Sequence, residues 1–277
     1  MNMTQPAMTR IVRRLEDHLG VRLFERHATG IGLTIFGEAF LPYASLVLAE
    51  IGNARSLLES LSGASKGVIR VGGVGAANSG HLAAALFSLL KRQPALQVQV
   101  IEEIEDKLLL ALKKGEIDLA VSPETYLDDE ITLACNETLH DVVEVYAAPS
   151  HPLAGQRGLT MADAARHSWA LPPPDTPVTR EWRRRFFAAG IDDVETAISS
   201  RSVNMLKSMT SLGGFMCWMP RELVALEVEQ GKLVALDLAD LRWGRTFHIY
   251  RRRMGQLPPA VHLLLKELQV RSGTEVT

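Results

Sequence analysis

The residues best placed to do chemistry in this sequence are polar groups on a helix face and at helix starts, not a catalytic set. Thr4, Gln5, Thr9, Arg10, Arg13 and Arg14 share a short segment with Met8, Ile11, Val12 and Leu15, and that spacing reads as a helix with one apolar stripe and one polar face. Such a face suits nucleic acid, because glutamine pairs bidentately with adenine, arginine with phosphate, and threonine with a phosphate or a thymine methyl. A solvated helix with ordinary surface charges accounts for the same residues equally well. A second candidate lies at Gly72-Gly73-Val74-Gly75-Ala76-Ala77-Asn78-Ser79, where a strand-like run gives way to a helix. Free N–H groups at that helix start would favour an anion. The run only partly matches a dinucleotide fingerprint, since Asn78 stands where the third glycine belongs, and Asn78 and Ser79 read as capping or ligand-facing groups. His140-Asp141 offers an adjacent acid and base, but no serine or cysteine in a nucleophile-elbow pattern accompanies it. Cys135 and Cys217 lie far apart without metal-ligand spacing and read as inert packing. No catalytic residue, metal or cofactor is therefore expected.

These groups need elements to hold them. Thr4 is a natural N-cap and Pro6 fits a first helical turn, where its missing N–H costs nothing. Gly20 should end that helix, and Val21-Arg22-Leu23-Phe24 with Thr29-Gly30-Ile31-Gly32-Leu33-Thr34 reads as two extended pieces around a turn, a wing. From Phe36 the apolar positions Phe40, Ala44, Val47, Ile51, Ala54, Leu58 and Leu61 follow at steps of three or four, which predicts a long helix that pairs with another. Residues 62–67 read as a hinge. Beyond it strands alternate with helices: strands at Val68–Val74, Gln97–Ile101 and Ile117–Val121 with helices at Ser79–Arg92 and Asp106–Lys114 build a parallel unit. A crossing segment at Val142–Ala147 leads to a second lobe with strands at Trp169–Leu171, Thr196–Ile198 and Phe215–Trp218 and helices at Thr179–Ala189 and Asn204–Leu212. Thr246–Tyr250 and the helix Pro259–Val270 return to the first lobe. The expected division is 1–35 for a winged head, 36–66 for the linker helix and hinge, and 67–277 for a two-lobed body. Lobe I takes about 67–147 and 247–271, and lobe II about 148–246. Two such lobes leave a cleft between them, where ligands bind.

Composition sets bounds. With 47% hydrophobic and 22% charged residues in 277, a sizeable core is assured, and a formal charge of -2 excludes coating nucleic acid by bulk charge. Residues 1–66 carry 7 Lys and Arg against 6 Asp and Glu, so nucleic-acid binding must rest on a small patch repeated in an oligomer. No export signal is evident, and no apolar run is read as reaching the roughly 18 residues of a membrane span. A cytoplasmic protein with free thiols is expected. Arg183-Arg184-Arg185 and Arg251-Arg252-Arg253 read as solvated faces or subunit contacts.

The stretch from Thr4 through Arg10, Arg13-Arg14-Leu15-Glu16 and Leu19-Gly20-Val21-Arg22-Leu23-Phe24-Glu25-Arg26 to Leu33-Thr34 closely resembles the recognition helix and wing of LysR-type transcriptional regulators. Gly115-Glu116-Ile117-Asp118-Leu119-Ala120 and Gly213-Gly214-Phe215-Met216-Cys217-Trp218-Met219-Pro220 are similar to that family's effector-binding domain, which has an α/β fold like periplasmic binding proteins. The resemblance implies that Thr4, Gln5, Pro6, Thr9, Arg10, Arg13, Arg14, Arg26 and Thr29 face double-stranded operator DNA. It places Ala77, Asn78, Ser79, Glu105, Ser122, Thr176, Thr179, Ser202 and Asn204 at a small-molecule effector, with an anionic metabolite as first candidate although Glu102, Glu103 and Glu105 crowd the rim. A homodimer or homotetramer is implied, without membrane, metal or cofactor. The family's head begins with a helix and most of a second one before the recognition helix, whereas Met1 here falls at the recognition helix itself, so the expected head is a partial winged helix-turn-helix. A cytoplasmic sensor or solute-binding protein of the same fold that no longer binds DNA is the alternative.

Overall fold

The computed structural model describes residues 4–27, 30–61, 67–123 and 129–272. Helix α1 (Gln5–Leu19) follows Thr4, whose hydroxyl makes no capping bond, and stops at Gly20 in the left-handed conformation, φ 70°, that glycine adopts without strain. Strands β1 (Phe24–His27) and β2 (Gly30–Leu33) pair antiparallel, Phe24 opposite Leu33. The stripe expected to be buried on α1 is open instead: Met8 and Ile11 are each 53% exposed and Leu15 is exposed too. The wing closes over the Glu16 side of the helix only, where Leu23 and Phe24 donate their amides to that carboxylate at 2.8 and 3.2 Å.

Helix α2 (Ile35–Leu61) is capped by Thr34, whose Oγ1 accepts from Gly37 N at 3.1 Å and donates to Arg22 O at 2.6 Å. Phe36, Val47, Ile51 and Leu58 of the heptad stripe all lie exposed along it. One sequence expectation needs correcting here, because Ile35–Arg55 is long and apolar enough to cross a membrane by length and composition. Glu50 in this stretch is bound to the body behind it, accepting from Arg252 Nη2 at 3.1 Å. Residues 62–66 of the expected hinge at 62–67 lie outside the described residues.

Strand β3 (Val68–Gly73) leads through α3 (Gly75–Ala77) and a π-helical turn (Asn78–Leu82) into α4 (Ala83–Arg92), then β4 (Gln97–Glu102), α5 (Glu105–Lys113) and β5 (Leu119–Ser122). The parallel unit forms as anticipated, with β3 parallel to both β4 and β5. Next come β6 (Ile131–Leu133), β7 (Leu139–Ala147), α6 (Met161–Ala165), β8 (Ser168–Leu171), α7 (Pro177–Ala188), β9 (Thr196–Ser199), α8 (Val203–Ser211) and β10 (Phe215–Pro220). The chain closes with α9 (Arg221–Glu229), β11 (Val234–Ala235), a 3-10 turn (Ala239–Leu241), β12 (Trp243–Arg252) and α10 (Pro259–Ser272). The strand order is β4-β3-β5-β12-β7-β10-β8-β9, with β6 on β12 and β11 on β7.

Four buried apolar clusters sit on this path among the described residues, and the two largest mark the two lobes. Ile69, Val71, Leu82, Leu119, Leu139, Phe247 and Ile249 share the first, while Val143, Val145, Trp169, Trp182, Phe186 and Trp218 share the second. Each fully buried side chain of this kind contributes about 1.5–3 kcal/mol. Strand β7 thus leaves one core at Leu139 and enters the other by Val143, and antiparallel β12 makes the reverse passage between Trp243 and Phe247. In the second core Trp169 meets Trp182 edge-on at 5.2 Å and Phe186 at 5.9 Å, a favoured aromatic geometry.

Candidate ligand cleft and nucleic-acid interface

A cavity of about 780 Å³ opens between the two cores, within the size range of small-molecule sites. One wall comes from Val74, Gly75 and Ala76 after β3 and from Glu102 to Glu105 and Lys107 around the start of α5. The opposite wall comes from Pro172, Thr176, Pro177, Val178, Arg201 and Val203, where α7 and α8 begin. Pro123, Leu206, Trp218, Met219, Pro220, Leu223, Trp243 and Arg245 also line it, so both lobes and the crossing strand β12 contribute.

Of the candidate effector residues, Glu105 and Thr176 line this cavity, and Ala77, Asn78, Ser79, Ser122, Thr179, Ser202 and Asn204 do not. Their roles are visible in their bonds. Asn78 donates its amide to Gly73 O at 3.0 Å and to Ile101 O at 3.2 Å, tying the ends of β3 and β4 together. Ala77 and Ser122 are fully buried, and Ser79 and Asn204 are exposed. Thr179 donates to Pro172 O at 2.8 Å, and Thr176 and Ser202 cap α7 and α8 by accepting from Thr179 N and Met205 N. Sequence reasoning missed Arg245, Trp243, Arg201 and Lys107. The visible signal was an arginine preceding the strand-like Thr246–Tyr250, which β12 in fact includes.

The charges of the cleft are tightly coupled. Asp141, expected from the sequence only as half of an acid/base pair, accepts from Arg245 Nε at 2.8 Å with a second bond from the same guanidinium. That pair is buried, with side chains 1% and 8% exposed. Arg245 also lies over the rings of Trp243 and Phe247, at 5.5 and 5.2 Å. Nearer the rim Lys107 meets Glu103 at 3.1 Å, and Arg201 meets Asp175.

On α1, Thr4, Gln5, Pro6, Thr9, Arg10, Arg13 and Arg14 are all exposed, as is Arg26 on β1, and Thr29 lies outside the described residues. Thr9 Oγ1 donates to Gln5 O at 3.0 Å, so its hydroxyl proton is turned to the helix backbone. The polar face is anchored from behind by Glu16, which also accepts from Arg22 at 2.9 Å. The Leu23 amide foremost, then the Phe24 amide and Arg22, hold the Glu16 carboxyl below its ordinary range against the opposing effect of burial. A carboxyl lowered on folding stabilises the head above the ordinary glutamate range and loses that contribution as pH falls through the lowered value. On acid titration the amide signals of Leu23 and Phe24 should therefore shift together with Glu16, and Glu16→Gln should flatten the acid limb of the head's stability. An unchanged acid limb in that variant would contradict this role.

Winged head, long linker helix and two-lobed cleft together define a ligand-sensing DNA-binding protein. The profile of the LysR substrate binding domain matches residues 62–272, and that of the bacterial regulatory helix-turn-helix protein, lysR family, matches residues 1–38. The chain belongs to the LysR family of transcriptional regulators. It is 25% identical over 261 residues to the RuBisCO operon transcriptional regulator of Allochromatium vinosum, covering 94% of this chain and 85% of that one. The fold is shared with the regulatory domain of Synechocystis PCC6803 CcmR in complex with 2-PG (TM-score 0.66, 15% identity, 75% of this chain and 98% of that one). It is shared also with full-length CbnR complexed with its target DNA (TM-score 0.59, 22% identity, 98% of this chain and 90% of that one). Of the two arginine triplets expected on solvated faces, Arg183, Arg184 and Arg253 are exposed, and Arg252 departs from the expectation by being buried. Arg184 and Arg185 bind Glu181, and buried Arg252 donates to Leu112 O, Ile117 O and Glu50.

Proposed function

We propose that this regulator binds operator DNA in the cytoplasm as a symmetric homo-oligomer, paired through the exposed apolar stripe of α2, and that a small molecule in the inter-lobe cleft alters the arrangement of its subunits. No catalytic step is assigned to it. The observation that carries the reading is the cavity of about 780 Å³ walled by both lobes and by β12, the strand that passes between them. A ligand filling it touches both lobes at once, so its affinity depends on their relative position, which is what coupling requires. The division into head at 1–35, linker at 36–66 and body at 67–277 is kept, with lobe crossings inside β7 and β12.

On the DNA side, Gln5 at the start of α1 would reach base edges, with Thr4, Pro6 and Thr9 beside it and Arg10, Arg13, Arg14, Arg26 and Thr29 at flanking phosphates. Gel shift on the DNA upstream of the chain's own coding region is expected to show affinity falling steeply with salt. Arg13→Ala should weaken binding to all sequences alike and reduce the salt slope by about 1 for every phosphate left without its arginine in each subunit. Salt-independent binding would remove α1 from the interface.

A further inference from the structure

We propose that the ligand of the inter-lobe cleft is an uncharged, mainly apolar molecule with a ring-sized carbon skeleton. This rests on the reading of the cleft as the effector site. Six charged residues line the cavity among those described, Glu102, Glu103 and Glu105 against Lys107, Arg201 and Arg245, so its wall carries no net charge. Each of the three cations is already matched to a carboxylate. Arg245 is held by Asp141 in a buried pair and lies over the rings of Trp243 and Phe247, which fixes that guanidinium in place. At the rim Lys107 meets Glu103 at 3.1 Å, and Arg201 meets Asp175. The acidic side is matched too. Glu103 is held by Lys107, and Glu105 is buried and already engaged within the fold. Glu102 stands beside the start of the helical run 75–92, where a Cβ on Gly75 would lie 3.1 Å from its Oε1, and negative charge is stabilised at a helix start.

A charged ligand therefore exchanges partners here without adding any. A carboxylate that takes Lys107 or Arg201 turns out Glu103 or Asp175, which stays at the same rim, and an ammonium drawn to the glutamates meets Lys107 already among them. Coulomb energy is traded, not gained. Neutral hydrogen-bonding groups are scarce as well. Thr176, the one hydroxyl among the described lining residues, donates to Pro173 O at 2.8 Å and accepts from Thr179 N at 3.4 Å, and Trp218 Nε1 donates to Leu241 O at 2.6 Å. What the wall supplies in quantity is apolar surface, from Val74, Ile104, Val178 and Leu206 to the indoles of Trp218 and Trp243, stacked at 5.5 Å. Burial of a carbon skeleton against that surface supplies the driving force.

The test is isothermal titration of the full chain with two sets of ligands alike in shape and different in charge: benzyl alcohol, benzoate and benzylamine, and cyclohexylmethanol, cyclohexanecarboxylate and cyclohexylmethylamine. In at least one set the alcohol should bind with a Kd of millimolar order or tighter, at least tenfold tighter than its acid and its amine. Its binding should show a negative heat-capacity change and be indifferent to salt. An acid or amine that equals its alcohol, or a failure of both alcohols to bind, overturns the proposal. Leu223→Trp, which fills the cavity from the α9 side, separates the two levels, and Ile104→Trp from the opposite wall takes its place if that variant does not fold. An alcohol lost in the filled variant supports both levels. An acid or amine that binds the wild type and is lost in the variant leaves the cleft reading standing and removes the charge assignment, and an alcohol whose binding persists removes the cleft reading itself.

Discussion

Arg245→Leu is expected to lower the stability of the two-lobed body by about 3–5 kcal/mol, the usual penalty for stripping one partner from a buried ion pair. The cost comes from what is left behind. Asp141 is 1% exposed, and with the guanidinium gone its charge has neither solvent nor a counter-ion at Arg245's position. Arg245 also fills the space between Trp243 and Phe247, so leucine forfeits both cation–π interactions as well. Those losses fall where β7 and β12 run side by side between the cores, Asp141 opposite Arg245 in register. Urea denaturation followed by circular dichroism measures the effect directly. The double variant Asp141→Asn with Arg245→Leu removes the stranded charge and should recover more than half of the loss. Arg245→Lys should recover less than the wild type's full stability, since an ammonium cannot make the two parallel bonds. A single-variant cost below about 1 kcal/mol would show that the pair is solvated and carries little.

Much of this architecture is legible in the residues. The wing, the Gly20-stopped α1, the heptad of α2 and the alternation that builds β3, β4 and β5 follow from periodicity and punctuation, which are local properties. Four elements were not legible. Strands β6 and β11 are too short for a pattern, α6 spans only five residues, and α9 follows directly on β10 at Pro220 without a loop to announce it. The cleft was legible only in outline. Thr176 and Ser202 were found because helix starts have a recognisable chemistry, but they turned out to spend their oxygens on their own helices. Arg245 and Arg201, which meet the cavity, were missed because their importance is a matter of pairing across the fold. Asp141 and Arg245 are 104 residues apart in the chain, and Glu50 and Arg252 are 202 apart. Nothing in local sequence marks either member for the other.

The junction of head and linker yields the second large effect. Gly37→Ala is expected to reduce DNA affinity more than tenfold while leaving ligand binding in the cleft unchanged. Alanine is worth about 1 kcal/mol more than glycine in a helix interior, so on propensity alone the substitution should help. Sterics oppose it. A Cβ at position 37 would lie 2.1 Å from Leu23 O, a backbone atom that cannot rotate away, and 3.0 Å from the Leu33 side chain. Moving Leu23 disturbs the bond its carbonyl receives from Thr34 N at 3.0 Å and the bond its own amide gives to Glu16. Overpacking of this kind costs about 1–3 kcal/mol, enough to outweigh the propensity gain and to tilt the wing and α1 relative to α2. Gly52→Ala in the same helix is the control, because a Cβ there meets nothing within 4 Å and the propensity gain of up to about 1 kcal/mol should stand alone. Gel shift and thermal melting of the two variants decide the matter. If both raise the melting temperature and both keep full DNA affinity, the close approach of α2 to Leu23 is not what sets the angle of the head.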